Sequence, residues 1–219
     1  MPLALRSTRD PFPGFSPLDG LVIRPELDAD VMSALQHRSA DEMHSRFGEG
    51  HRAYVAWLHD TPAAFGWIAT RQARIGEIDS TFVIPERERY LWNFVTQPTH
   101  RGLGIYPRLL DAMVRAESWK VERFWVAYAP ENHASGTGIR KAGFTTLAAL
   151  SFDVDGRPAV RDVLPGGARS AARFLGIRET VDELAPCWRC AKQMSPLAAS
   201  CHGGSCACDY QRAQLACAG

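Results

Sequence analysis

The residues best placed to do chemistry lie in the run Val95-Thr-Gln-Pro-Thr-His-Arg-Gly-Leu-Gly-Ile-Tyr106, followed by Pro107-Arg-Leu-Leu-Asp-Ala-Met-Val-Arg-Ala-Glu117. An apolar strand, Tyr90-Leu-Trp-Asn-Phe-Val95, leads into an Arg-Gly-x-Gly turn and then into a helix. That order brings several backbone N–H groups to one helix N-terminus, where partial positive charge accumulates, and the chemistry it suits is the cradling of phosphate. Two nucleotide motifs fail on pattern. A P-loop requires Lys and then Ser or Thr directly after its second glycine, and the chain has no such run. A dinucleotide fingerprint requires three spaced glycines early in a βαβ unit and an acidic residue at the end of the next strand, which is also missing.

A second block follows. Arg123-Phe-Trp-Val-Ala-Tyr128 reads as a strand, and Asn132-His-Ala-Ser-Gly-Thr-Gly-Ile-Arg-Lys-Ala-Gly-Phe144 as a helix that opens on Asn and closes on Gly-Phe. Ahead of both stands Leu21-Val-Ile-Arg-Pro25, before Asp28 and Asp30. Taken in order over residues 20–155, these blocks resemble the GNAT N-acetyltransferase superfamily. Arg101 and Gly104 stand in its acyl-CoA-binding motif, and Asn132, Ser135, Gly143 and Phe144 fall at the spacing of its later block. Two positions depart from the family: Tyr106 replaces the usual small residue, and Ile139 replaces a tyrosine that many members use to protonate the leaving thiolate.

The resemblance implies an α/β fold, a mixed and mostly antiparallel sheet flanked by helices, with acetyl-CoA as co-substrate. It also implies that the amides of Gly102, Leu103, Gly104, Ile105 and Tyr106 hold the pyrophosphate, with Arg101 adding charge. The backbone at Phe94, Val95 and Thr96 would pair with the pantetheine arm and polarise the thioester. Asn132 and Ser135 would touch the carrier, although Asn132 is equally suited to capping a helix.

Acyl transfer to an amine further needs a base for the amine, stabilisation of the oxyanion and a proton for the thiolate. With Ile139 unable to donate, Tyr106 and Tyr128 are the candidate acids, water being the alternative. The candidate bases are the carboxylates near the strand that enters the cradle, Glu88 and Glu77 before Asp79 and Glu86. Each reads equally well as a solvated surface charge.

The elements that must position these groups can be read from pattern. Asp28–His37 and Ser39–Phe47 read as capped helices, and Arg52–Leu58 with Ala63–Ala69 as a hairpin. A further strand pair is expected over Arg74–Val83 and Arg89–Thr96, and a strand over Phe144–Val154. Residues 1–19, with Pro11, Pro13 and Pro17, read as an irregular arm, and 156–185 as a linker with a short helix at Ala168–Leu175.

Residues 186–219 form a cysteine-rich tail holding all six cysteines of the chain. Cys187-Trp-Arg-Cys190, Cys201 and Cys206-Ala-Cys208 have the grouping of a tetrahedral zinc site, with His202 as a spare ligand. A disulfide-paired tail, an iron–sulfur cluster or an unliganded tail remains open.

At 219 residues, 46% of them hydrophobic, the chain can bury one good core. A net charge of +1, with no dense basic stripe, gives no drive towards nucleic acid or an anionic membrane. No apolar run reaches the roughly 20 residues of a membrane span, and a cytoplasmic location is expected. The expected function is transfer of acetyl from acetyl-CoA to a primary amine, on a small molecule or a peptide, by direct attack in a ternary complex. The alternatives are a non-catalytic acyl-CoA-binding regulator and an enzyme of the same fold with a different outcome. A homodimer is left open.

Overall fold

The computed structural model describes residues 1–185; the expected zinc ligands Cys187, Cys190, Cys201, Cys206 and Cys208 lie outside the described residues. The strands are β1 (Pro2–Ser7), β2 (Leu21–Glu26), β3 (Arg52–Leu58), β4 (Thr61–Ala69), β5 (Gln72–Ile75), β6 (Ser80–Val83), β7 (Glu88–Thr96), β8 (Arg123–Ala127), β9 (Thr145–Phe152), β10 (Pro158–Asp162) and β11 (Arg178–Glu179). The helices are α1 (Ala29–Gln36), α2 (Ala40–Gly48), α3 (Ile105–Glu117), α4 (His133–Lys141) and α5 (Gly167–Leu175). Nine strands form one sheet in the order β11-β10-β9-β1-β8-β7-β4-β3-β2, antiparallel except at β7–β8 and β10–β11. No helix among the described residues is long and apolar enough to cross a membrane.

Helices cover both faces, so the central strands are buried on two sides and read as nearly continuous apolar runs. On one face Ile105, Leu109, Leu110 and Met113 of α3 and Ile139 of α4 pack against Tyr54, Ile68, Leu91, Phe124 and Val126. On the other face Met32 of α1 and Met43 of α2 cover Val55, Phe65 and Trp67, while Phe174 of α5 stacks on Trp125 with ring centroids 4.7 Å apart. Asp28 and Ser39 cap α1 and α2 as their residue types predict, each accepting from backbone N–H groups of the first turn.

Three expectations are corrected. The supposed N-terminal arm contributes a central strand, since β1 lies between β8 and β9. The prolines that suggest irregular chain fall after it, where Phe12 packs on the α3 face of the core. The strand expected over Arg74–Val83 is two strands, because the chain turns at Gly76–Asp79, with Asp79 in the left-handed region at φ 51°. β7 therefore pairs with β4 and β8 and leaves β5–β6 as a separate hairpin. Finally, the segment read as a linker after residue 155 holds its expected short helix as α5 but also adds β10 and β11, which extend the same sheet.

Candidate active site

The site is built where two parallel strands part. β7 and β8 pair from Glu88–Arg123 to Leu91–Val126 and then separate, while β7 continues to Thr96 with β4 alone as its neighbour. The parting coincides with a break in register between Phe65 and Trp67 on β4 and with Asn93 in the left-handed region at φ 52°. Such an irregularity re-aims the strand, and Asn tolerates that conformation better than most residues. Asn93 is held there by a hydrogen bond from its Nδ2 to Oε1 of Gln36, 2.8 Å long.

Two cavities open from this gap. The first, of about 790 Å³, is lined by Phe94, Val95 and Thr96 of β7, by Arg101, Gly102 and residues 104–107, and by Asn132, Ser135, Gly138 and Lys141. The second, of about 630 Å³, lies between the ends of β7 and β8, α1 and the β5–β6 hairpin. They share Phe94, Val95, Tyr106, Asn132 and Ser135.

The first cavity has the character of an anion site. Gly102 and Gly104 adopt φ 83° and 70°, values that glycine takes at little cost. Gly104 is the N-cap of α3 and no side chain accepts from the first-turn amides, so those N–H groups remain for a ligand. Among the described residues Arg101 and Lys141 line the cavity and no carboxylate does. Leu103 is exposed and does not line it. Asn132 caps α4 through its Oδ1, which accepts from the Ser135 N–H at 2.9 Å, so capping is observed and the amide nitrogen stays outside that bond.

The two tyrosines stand where the cavities meet. The Tyr106 hydroxyl is 3.3 Å from Oγ of Ser135, and burial pushes its pKa up to about 12. Tyr128 lines the second cavity beside it. Each ring lies over a glycine of α4: a Cβ on Gly138 would meet Cδ1 of Tyr106 at 2.3 Å, and one on Gly136 would meet Cε2 of Tyr128 at 2.8 Å. Ile139, which stands in place of the family tyrosine, is 1% exposed within the core.

The expected bases separate. Glu88 lies at the opposite end of β7 from Phe94–Thr96, is 6% exposed and accepts from Arg123 at 2.7 Å and from Nε1 of Trp125. A buried carboxylate held by two donors is a structural tie, and Glu88 lines neither cavity. Glu77 does line the second cavity, and it is the one carboxylate among the described residues around either. Sequence reasoning missed Gln36, Arg38, Arg46 and Asn93, all of which line the second cavity. A polar Asn inside the apolar run Tyr90–Val95 was a legible signal of the irregularity; the α1–α2 residues carried none.

No curated protein matches the chain. A GCN5-related N-acetyltransferase from Kribbella flavida has 15% identity and a TM-score of 0.45; the match covers 66% of this chain and 53% of that one, so the chain spans about half the length of that relative. AAC(6')-Ib, solved with parmomycin and acetyl-CoA, has 16% identity and a TM-score of 0.49, over 65% of this chain and 92% of that one. The ribosomal-protein-S18-alanine N-acetyltransferase of Escherichia coli has 18% identity and a TM-score of 0.47, over 63% and 88%. The sequence pattern of the acetyltransferase (GNAT) family is matched by residues 22–144, which is more than half of the chain. The chain belongs to the acetyltransferase (GNAT) family.

Proposed function

We propose that the protein transfers acetyl from acetyl-CoA to a primary amine by direct attack, with the carrier in the first cavity and the amine entering through the second. The observation that carries this reading is the junction at Phe94 and Val95: a cavity with Arg101, Lys141 and no carboxylate among its described lining and a second, polar cavity meet beside an unpaired strand edge. The uncapped amides of α3 would take the pyrophosphate, and the free edge of β7 would pair with the pantetheine arm as an added strand does. Binding both partners across one gap supplies the orientation that such a reaction needs.

In the step itself the amine lone pair forms the C–N bond at the thioester carbonyl carbon, the C–S bond breaks, and the amine proton and the thiolate charge must be removed and neutralised. Glu77 is the candidate acceptor of that proton, directly or through water. Tyr106 stays protonated up to about pH 12, which makes it a hydrogen-bond donor to the sulfur. Full transfer of its proton to a thiolate of pKa about 8.5 would run uphill by about 3.5 pKa units, or about 5 kcal/mol. Tyr106 is therefore assigned to stabilising the thiolate charge, and Tyr128, which lines the second cavity beside it, and water are the candidate proton donors.

The test is incubation of the full chain with labelled acetyl-CoA and pools of amines, read by mass spectrometry. An acetylated amine is expected. Tight acetyl-CoA binding with no product in any pool would instead support the non-catalytic regulator, the reading that the buried Ile139 keeps in play.

A further inference from the structure

The lining of the second cavity carries its own statement about what enters it. Three guanidinium groups line it, Arg38, Arg46 and Arg74, against the single carboxylate of Glu77. Two of the arginines have counter-ions: Arg46 pairs with Glu42 at 2.6 Å and Arg74 with Asp79 at 2.5 Å. Neither Glu42 nor Asp79 lines the cavity. The side chain of Arg38 makes no hydrogen bond or ion pair among the described residues, and Glu77 likewise has none.

Arg46 is the most firmly fixed of the three. Its Nη1 donates to Oε1 of Gln36 at 2.9 Å, and its guanidinium lies over the rings of Trp67 and Trp92, 5.2 and 4.8 Å from their centroids. The same Gln36 oxygen accepts from Asn93, the residue before Phe94. One amide thus ties the rigid cation, the last residue of α1 two positions before Arg38, and the strand edge at the junction of the cavities.

Resting on the acetyl-transfer reading above, we propose that the acceptor is an amine that also bears a carboxylate, such as a free amino acid. Its carboxylate is held by Arg38 against the fixed positive wall of Arg46, and its amine is turned towards Phe94 and Val95. A zwitterion matches the lining group for group, one carboxylate for the ammonium and free guanidinium for the anion. An acceptor with several ammonium groups would find a single carboxylate and would meet like charge at the arginines, which disfavours it.

The test compares matched acceptors on the full chain with acetyl-CoA: free amino acids, the same amino acids as carboxamides, and spermine. The best amino acid should exceed its own amide in kcat/KM by at least about tenfold, the lower range for a charge-assisted hydrogen bond. Arg38→Gln should shrink that ratio by roughly tenfold, chiefly through KM, while acetyl-CoA affinity by calorimetry stays within about twofold as a check on folding. Equal or better use of amides or spermine overturns the proposal and leaves the transferase reading standing. So does an unchanged ratio in folded Arg38→Gln. Bound acetyl-CoA with no product from any acceptor overturns the transferase reading, and the proposal with it.

Discussion

A methyl group added at Gly138 would stand 2.3 Å from the Tyr106 ring, and the three nearest atoms outside its own helix backbone and chain neighbours all belong to that ring. Helix propensity alone says that Gly138→Ala should stabilise α4 by about 1 kcal/mol. Overpacking against an aromatic ring costs about 1–3 kcal/mol and should win. Gly138→Ala is therefore expected to lower stability in denaturant titration and to weaken acetyl-CoA binding at least fivefold by displacing Tyr106; a variant more stable than the parent would show that the ring does not sit there. Tyr106 also makes a pH prediction. Its pKa rises from 10.0 to about 12 on folding, so its contribution is fully present below pH 10 and is lost as pH rises towards 12. Tyr106→Phe should accordingly gain about 1–2 kcal/mol on the parent between pH 9 and pH 12, allowing for a half-buried ring. At this scale the sequence was legible wherever backbone did the work: Gly102, Gly104 and the Asn132 cap lie as their types suggest. It was illegible for Glu88, because nothing local announces that Arg123 and Trp125 on the next strand close over that carboxylate.

Among the elements, those with a strong period of their own were legible and those defined by distant partners were not. α1, α2, β3 and α4 carry caps or runs that settle their limits locally. β1 does not, since six residues ahead of three prolines gain their order from β8 and β9, more than a hundred residues away. Its Arg6 shows how firmly it is held. The side chain is fully buried and donates to Asp111 Oδ1 of α3 and to the carbonyl of Ala142 just after α4, both at 2.8 Å. It joins the two helices that frame the first cavity to the middle of the sheet. Arg6→Ala would leave Asp111 buried with the half-exposed Arg115 as its one ion partner among the described residues, and should cost about 3–5 kcal/mol by chemical denaturation. A loss under about 1 kcal/mol would mean that the tie is incidental.

For the whole molecule, the family match ends well inside the sheet. It covers 22–144, yet β1 before it and β9 and β10 after it are consecutive neighbours beyond β8. Cutting to the matched residues would strip β8 of its partner β1 and expose the backbone edge and apolar surface that β1 covers. A fragment of residues 22–144 is expected to aggregate or to lack a cooperative unfolding transition. Residues 1–185 are a different case. Ala185 is tied back to β9, its N–H donating to the Phe152 carbonyl at 2.7 Å and its own carbonyl accepting from Ser151 Oγ at 2.8 Å. The described residues that line the two cavities all lie before that point, the last of them Lys141. A chain ended after Ala185 should therefore keep a melting temperature within a few degrees of the full chain and bind acetyl-CoA within about twofold, an affinity change under roughly 0.4 kcal/mol. Loss of binding in a truncated chain that still melts cooperatively would place part of the carrier site in the cysteine-rich tail.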